Sequence, residues 1–282
     1  MNNEEINFCF VVGGRQEHYD NMQRSIISIK KLIDNANFCV LELGQKKIKS
    51  EFGIKVIHKD VDFSNKKKIG YLFWKEKYNV VQYCDSEYII YVDTDTVFVN
   101  NNINDLFNKI GDNIGVCQHF WIPYMSFYES YAVSPQYKSQ YVRFRSKYHM
   151  EPEDKFWSGG VFLFKNSKDN LKVFNEINNI SDEFYGKNEY ISGSGITDEL
   201  FFSYSLNKRN KYSQLNGALN HCIMGDQYMR LKIENGIIFG KNTYEENWEP
   251  VTFFHCDINR RNPPAQSYSD EINKEVNKAY NI

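Results

Sequence analysis

Residues 87–101 read EYIIYVDTDTVFVNN. The apolar and aromatic run Tyr88 to Val92 leads into Asp93 and Asp95, and a second run, Val97-Phe98-Val99, follows. An unbroken apolar run of this length is the pattern of a strand buried on both faces. Side chains two apart in an extended segment point the same way. The pattern therefore predicts two carboxylates leaving the C-terminal edge of a parallel sheet, the edge where open α/β sheets take ligands. Two like charges this close need a cation or a proton between them. Mn²⁺ or Mg²⁺, hard ions that favour oxygen, meets that need, and on a diphosphate it neutralises charge as the leaving group departs. The competing reading is a turn in which both aspartates only hydrogen-bond locally.

Working outward, Phe8 to Val12 predicts a short buried strand ended by Gly13-Gly14. Met22, Ile26, Ile29 and Ile33 recur at helical spacing, and strands over Phe38 to Leu43 and Ile54 to Ile57 follow. Ile69 to Tyr83 reads as helix, with Trp74, Tyr78 and Val81 recurring. Beyond the aspartates, Ile103, Leu106, Phe107 and Ile110 mark a short helix, and Gly115 to Phe120 a strand. Trp121 to Phe156 shows no period and reads as loops or short helices. Gly159-Gly160 introduces the strand Val161 to Phe164; helices follow over Leu171 to Ile180 and Asp198 to Leu206, separated by a loop at Tyr190 to Ile196. Gly236 to Gly240 and Val251 to Phe254 are the last apolar runs before a polar tail from Asn259. Alternating strands and helices predict an α/β fold with a mainly parallel, mixed sheet flanked by helices. One domain over 1–282 is expected, with an N-terminal half (1–100) that resembles a nucleotide-binding unit, a second half (101–260) and a polar tail (261–282).

Composition bounds the function. The chain has 282 residues with a formal net charge of −2, so it offers nothing to neutralise a long phosphate backbone and nucleic acid is not an expected partner. Lys66-Lys67-Lys68 reads as a solvated turn. Six cysteines lack C-x-x-C spacing, and Cys9, Cys39, Cys84 and Cys117 lie in or beside apolar runs, so they read as buried thiols of a reducing compartment. No apolar stretch is long enough for a membrane span and the start carries no signal core, so a cytoplasmic protein is expected. The 20 tyrosines and 21 phenylalanines accompany abundant Asn, Lys and Ile, a compositional bias from which no function is drawn.

The stretch EYIIYVDTDTVFVNN resembles the metal-binding signature of the glycosyltransferase A (GT-A) fold, close to the glycogenin and lipopolysaccharide galactosyltransferase family and the ABO-type retaining transferases. FCFVVGG, KFWSGGVFLFKN, ITDELFFSYSL and VTFFHCD resemble further segments of that fold in the expected order, spanning residues 8 to 257. The resemblance implies that Asp93 and Asp95 bind metal and nucleotide, and that His255 completes the metal shell. It implies that Val11, Gly13 and Tyr19 lie against the nucleotide, and Trp157, Gly159 and Gly160 against the donor sugar. Asp198 and Glu199 would face the acceptor and the reacting carbon, with Glu199 in the nucleophile position. After His255 the glycogenin-like group places a Gly and a Lys-Pro-Trp, whereas this chain reads Cys256-Asp257-Ile258-Asn259-Arg260-Arg261. Arg260 and Arg261 are candidates for the diphosphate oxygens or a solvated tail.

The implied activity is metal-dependent transfer of a sugar from a nucleoside diphosphate sugar, UDP-linked by preference, to a hydroxyl of a glycan, protein or small molecule. Retention of configuration is preferred; Asp198 as the general base of an inverting enzyme is the alternative. Each site residue also has a plainer reading. The glycine pair suits a tight turn. Asp198 and Glu199, with Thr197 as cap, suit any helix start. His255 suits a satisfied strand end. Two rival functions share the scaffold. A sugar-phosphate nucleotidyltransferase would need a glycine-rich, basic phosphate loop where this chain has Gly13-Gly14-Arg15-Gln16-Glu17. A non-catalytic nucleotide-sugar or glycan binder would not need Asp93, Asp95 and His255 together. Oligomeric state, donor sugar, acceptor and linkage stay open.

Overall fold

The apolar runs assemble side by side. The computed structural model describes residues 5–44, 48–50, 53–64, 66–118, 135–151, 154–185, 198–215, 220–222, 229–242 and 247–255. The strands are β1 (Ile6–Gly13), β2 (Asn37–Leu43), β3 (Ile54–Lys59), β4 (Tyr88–Val92), β5 (Thr96–Phe98), β6 (Ile114–Gln118), β7 (Trp157–Lys165), β8 (Tyr212–Leu215), β9 (Asn220–Cys222), β10 (Met229–Glu234), β11 (Ile237–Asn242), β12 (Glu249–Pro250) and β13 (Phe253–His255). The helices are α1 (Gln16–Leu32), α2 (Lys66–Asn79), continued by a 3₁₀ turn over Val80–Tyr83, then α3 (Ile103–Ile110), α4 (Pro135–Tyr148), α5 (Lys168–Tyr185) and α6 (Asp198–Arg209).

Seven strands form the central sheet in the order β3-β2-β1-β4-β7-β6-β8. β1 runs parallel to β2 and β4, β2 to β3, and β6 to β8; β7 lies antiparallel between β4 and β6. The architecture is thus α/β with a mixed, mainly parallel sheet flanked by helices. Alternation along each strand sends side chains to two cores. From β1, Cys9 and Val11 enter the core shared with α2, α5 and α6, while Ile6, Phe8, Phe10 and Val12 enter the one shared with α1 and α3. Each fully buried phenylalanine contributes about 1.5–3 kcal/mol, so these cores outweigh the burial of a few charges at the sheet edge.

Two small sheets complete the described chain, β5-β13-β9 and β10-β11-β12. The hairpin β10–β11 turns on Asn235 and Gly236, both at positive φ (52° and 76°), so Asn-Gly fills the two-residue turn that pairs Glu234 with Ile237. That dipeptide was the available signal for β10, which the run Gly236 to Gly240 alone did not reveal.

One expectation is corrected and two open readings are narrowed. The aperiodic segment Trp121 to Phe156 contains the 14-residue helix α4, whose sequence PQYKSQYVRFRSKY is too polar to show a period. Lys66-Lys67-Lys68 opens α2 and is not a turn. Gly159 and Gly160 lie inside β7, and neither has positive φ, so no tight turn explains them. The expected loop at Tyr190 to Ile196, the cap Thr197 and the tail with Arg260 and Arg261 lie outside the described residues.

Candidate active site

β1 and β4 are parallel neighbours, paired from Ile6↔Tyr88 to Cys9↔Tyr91, so both end at one edge. Carried two residues further, the same register brings Val11 level with Asp93. The chain turns there: Thr96 N–H donates to the Asp93 carbonyl at 3.2 Å. Asp93 to Thr96 is therefore a hydrogen-bonded turn, and strand alternation is not what orients the two carboxylates. Asp93 N–H in turn donates to the Gly160 carbonyl at 2.8 Å, which ties the aspartate to the first residues of β7.

Four elements meet at this point, and the residue that joins them is Lys77 of α2. Its ammonium lies 3.3 Å from Asp93 Oδ1 and 3.0 Å from Asp198 Oδ2, so one cation bridges the aspartate after β4 and the first residue of α6. At an effective dielectric near 20, each such attraction is about 5 kcal/mol, and two of them offset the several kcal/mol that burying the ammonium costs. Burial pulls the Lys77 pKa down, but Asp198, Asp93 and Glu199 outweigh it and hold the group protonated above its ordinary range. Asp93 keeps 24% of its side chain exposed, against 12% for Lys77 and 9% for Asp198, so Asp93 is the member open to a ligand.

Two phenols support the carboxylates from the core. Tyr91 OH donates to Asp93 Oδ1 at 2.7 Å, and Tyr78 OH donates to Asp198 Oδ2 at 3.1 Å. Both rings stack on Phe162, at centroid distances of 4.9 Å and 6.0 Å, so an aromatic layer fixes where the hydroxyls stand. Burial first, then Asp93, Asp198 and Asp95, raises the Tyr91 pKa, which sets Asp95 in the same electrostatic neighbourhood. Gly159 is where it is for space. A Cβ there would sit 3.0 Å from Tyr78 Oη and 3.1 Å from Asp198 Oδ2.

Helix α6 presents its acids at its positive end, with Asp198 and Glu199 in the first turn and Lys208 and Arg209 in the last. Trp157 N–H donates to Ser203 Oγ at 2.8 Å and pins the start of β7 to this helix. Gly159 N–H donates to Glu199 Oε1 at 3.3 Å. Burial, then the charge of Asp198, pushes the Glu199 carboxyl from 4.5 up to about 8, while Lys77 and the Gly159 N–H pull the other way. The folded chain therefore holds a proton that the unfolded chain releases above pH 4.5, so stability declines as pH rises from 4.5 to about 8 and levels beyond. Glu199→Gln removes that penalty. In metal-free protein its melting temperature should match wild type near pH 4.5 and exceed it increasingly towards pH 8, by about 2–4 °C for each kcal/mol recovered. Melting curves with the same difference at both ends would refute this assignment.

The other sequence-derived candidates are placed as follows. Val11 and Gly13 lie at the same edge in β1, and Gly13 is required because a Cβ would come within 2.6 Å of the Leu43 carbonyl oxygen. Tyr19 is buried in α1 and its hydroxyl donates to the buried Glu42 at 3.0 Å. Trp157 is wholly buried and packs on Tyr212 with centroids 4.6 Å apart, so its ring is part of the core. For His255 the backbone alone is described. It pairs with Thr96 across β5 and β13, one residue from Asp95. Lys77, Tyr78 and Tyr91 were not anticipated. A lysine within LFWKEKY has no sequence mark that sets it apart from its neighbour Lys75, which instead pairs with Asp182 at 2.5 Å.

Oxygen donors from Asp93 and Asp95 have the hardness that Mn²⁺ or Mg²⁺ requires, and Asp93 is open to solvent. Among the described residues, of which the His255 side chain is not part, no group of three or more His, Cys, Asp and Glu forms a ligand set. Among them, too, no helix is long and apolar enough to cross a membrane.

No protein-family model and no curated protein matches the sequence. Solved structures do match. The galactosyltransferase LgtC, in complex with donor and acceptor sugar analogs, aligns with a TM-score of 0.62 at 13% identity, over 98% of this chain and 96% of that one. An active-site mutant of LgtC aligns with a TM-score of 0.57 at 12% identity, over 97% and 95% of the two chains. At such identity the likeness is one of fold, and it matches the GT-A-like order of sheet and helices described above.

Proposed function

We propose that this chain is a metal-dependent glycosyltransferase that moves a hexosyl group from a nucleoside diphosphate sugar, UDP-linked by preference, to an acceptor hydroxyl. The observation that carries this reading is the convergence of Asp93 and Asp198 on Lys77. It joins the edge suited to a nucleotide diphosphate to a pair of helix acids suited to a sugar. The GT-A-like fold supports it, since LgtC, of the same architecture, is a galactosyltransferase whose structure holds donor and acceptor sugar analogs.

Asp93 and Asp95 would hold Mn²⁺ or Mg²⁺, with His255 as the third protein ligand. When bound, that ion supplies Lewis-acid neutralisation of the departing diphosphate. Lys77 holds Asp93 and Asp198 in place before the donor arrives, so little reorganisation is left to the reaction. Asp198 is held by two donors and serves to orient sugar hydroxyls. Glu199 stands on the Gly159 N–H beside the strand expected to line the sugar. Ionised, it can attack or shield an oxocarbenium-like carbon, which is the retaining outcome.

Incubation with a panel of nucleoside diphosphate sugars and Mn²⁺ tests the reading by release of nucleoside diphosphate. Release from one donor, faster with an acceptor and abolished by chelation, is expected; no release from any donor would overturn it. If ionised Glu199 is the nucleophile, kcat/KM should rise about tenfold per pH unit below the pKa of about 8 and level above it. Glu199→Gln should bind nucleotide and metal normally yet lose transfer, and a full transfer rate in that variant would remove Glu199 from the chemistry.

A further inference from the structure

On the α2 face of the sheet, three cysteines meet beneath the active edge. Cys9 lies in β1, Cys39 is its register partner in β2, and Cys84 closes the 3₁₀ turn that continues α2. All three are buried free thiols, and the Sγ atoms of Cys9 and Cys84 stand 2.9 Å apart. A sulfur–sulfur bond spans about 2.05 Å, so closing this pair asks less than about 1 Å of further approach. Buried structural cysteines pack as small apolar groups with a weak S–H donor, and packing alone does not call for two sulfurs this close. Three of them come together from three segments, with two sulfurs already in contact.

We propose that Cys9 and Cys84 are a reversible dithiol–disulfide pair. With a peroxide as the two-electron oxidant, the sulfur of Cys84, a residue 5% exposed against 0% for Cys9, attacks one peroxide oxygen. The O–O bond breaks and the other oxygen leaves as water, giving a sulfenic acid. The Cys9 sulfur then displaces that hydroxyl, which leaves as a second water, and the sulfur–sulfur bond forms. Overall, two thiols are oxidised and one peroxide is reduced to two waters. The bond closes a loop between positions 75 apart and ties β1 to the end of α2, the helix that carries Lys77 and Tyr78. Such a closure restricts the unfolded chain, so the oxidised protein melts at a higher temperature.

The test treats the folded full chain with hydrogen peroxide in native buffer, blocks remaining thiols by alkylation and maps the peptides by mass. The expected result is a Cys9–Cys84 linked peptide, a chain lighter by two hydrogens before alkylation, and a raised melting temperature that dithiothreitol reverses. Cys84→Ala and Cys9→Ala should each lack the linked peptide and the shift; the wild-type map stands even if a variant folds poorly. Cys9 and Cys84 both recovered as alkylated peptides after oxidation would overturn the proposal. So would a disulfide from either to another cysteine, or a linkage formed only in denaturant.

Discussion

Replacing Lys77 by methionine is expected to lower kcat/KM by at least about 100-fold and the melting temperature by about 6–20 °C. The side chain keeps its length and loses its charge, so Asp93, Asp198 and Glu199 face one another without their shared cation. Removing one partner of a buried ion pair costs about 3–5 kcal/mol, because the group left behind is desolvated and unpaired. The loss falls on folding and, where the carboxylates shift or take up protons, on transfer. The pH dependence has a definite sign. Lys77 works against the raised pKa of Glu199, so without it that carboxyl protonates more readily, and the variant loses most at high pH and recovers towards wild type as the proton is taken up. Lys77→Arg keeps the charge and should recover part of the activity, though its planar fork fits a position built for a point charge poorly. A Lys77→Met protein that folds and turns over at the wild-type rate would end the case for a bridging cation at this edge.

Asp95→Ala should leave the fold intact and remove metal-dependent nucleotide binding. The residue lies in a turn beside the open Asp93, and its loss takes away a hard oxygen donor without uncovering the core. Changes one shell removed from a metal typically cost 10–100-fold in affinity, so loss of a direct ligand should cost about 100-fold or more. Calorimetry with UDP and Mn²⁺ reads this directly. The metal concentration needed for half-maximal turnover should rise in parallel, and His255→Ala should raise it too. Unchanged nucleotide affinity in Asp95→Ala would place the metal, or the nucleotide, elsewhere.

The sheet was legible because buried strands and amphipathic helices repeat a signal over many residues: Phe8 to Val12, Tyr88 to Val92 and the stripe Ile103, Leu106, Phe107 and Ile110 need little context. α4 was not legible, because its backbone bonds are satisfied whatever its side chains are and its polar sequence hides the period. The site divides the same way. Asp93 and the acids of α6 stand at element ends and Gly159 in a glycine pair inside β7, all marked in the sequence, and the structure brings them together. Lys77 sits mid-helix, and its role follows from where α2 docks, which no local pattern encodes. The strand-alternation argument for Asp93 and Asp95 failed for a local reason: the chain leaves the strand at Asp93, so a period-two rule does not extend across the turn.

The antiparallel placement of β7 has a consequence for the order of events in biosynthesis. β4 finds β1 within the first hundred residues, but its other neighbour is made much later, and Asp198 emerges about a hundred residues after Asp93. At ~5–20 residues per second that is roughly 5–20 s of translation. Long-range pairing has to meet its loop-closure cost before it gains contacts, so this part of the sheet is expected to consolidate last. Until then Lys77 and Asp93 have each other and no helix acid. The nascent chain thus holds the Lys77–Asp93 pair well before Asp198 arrives to complete the cluster.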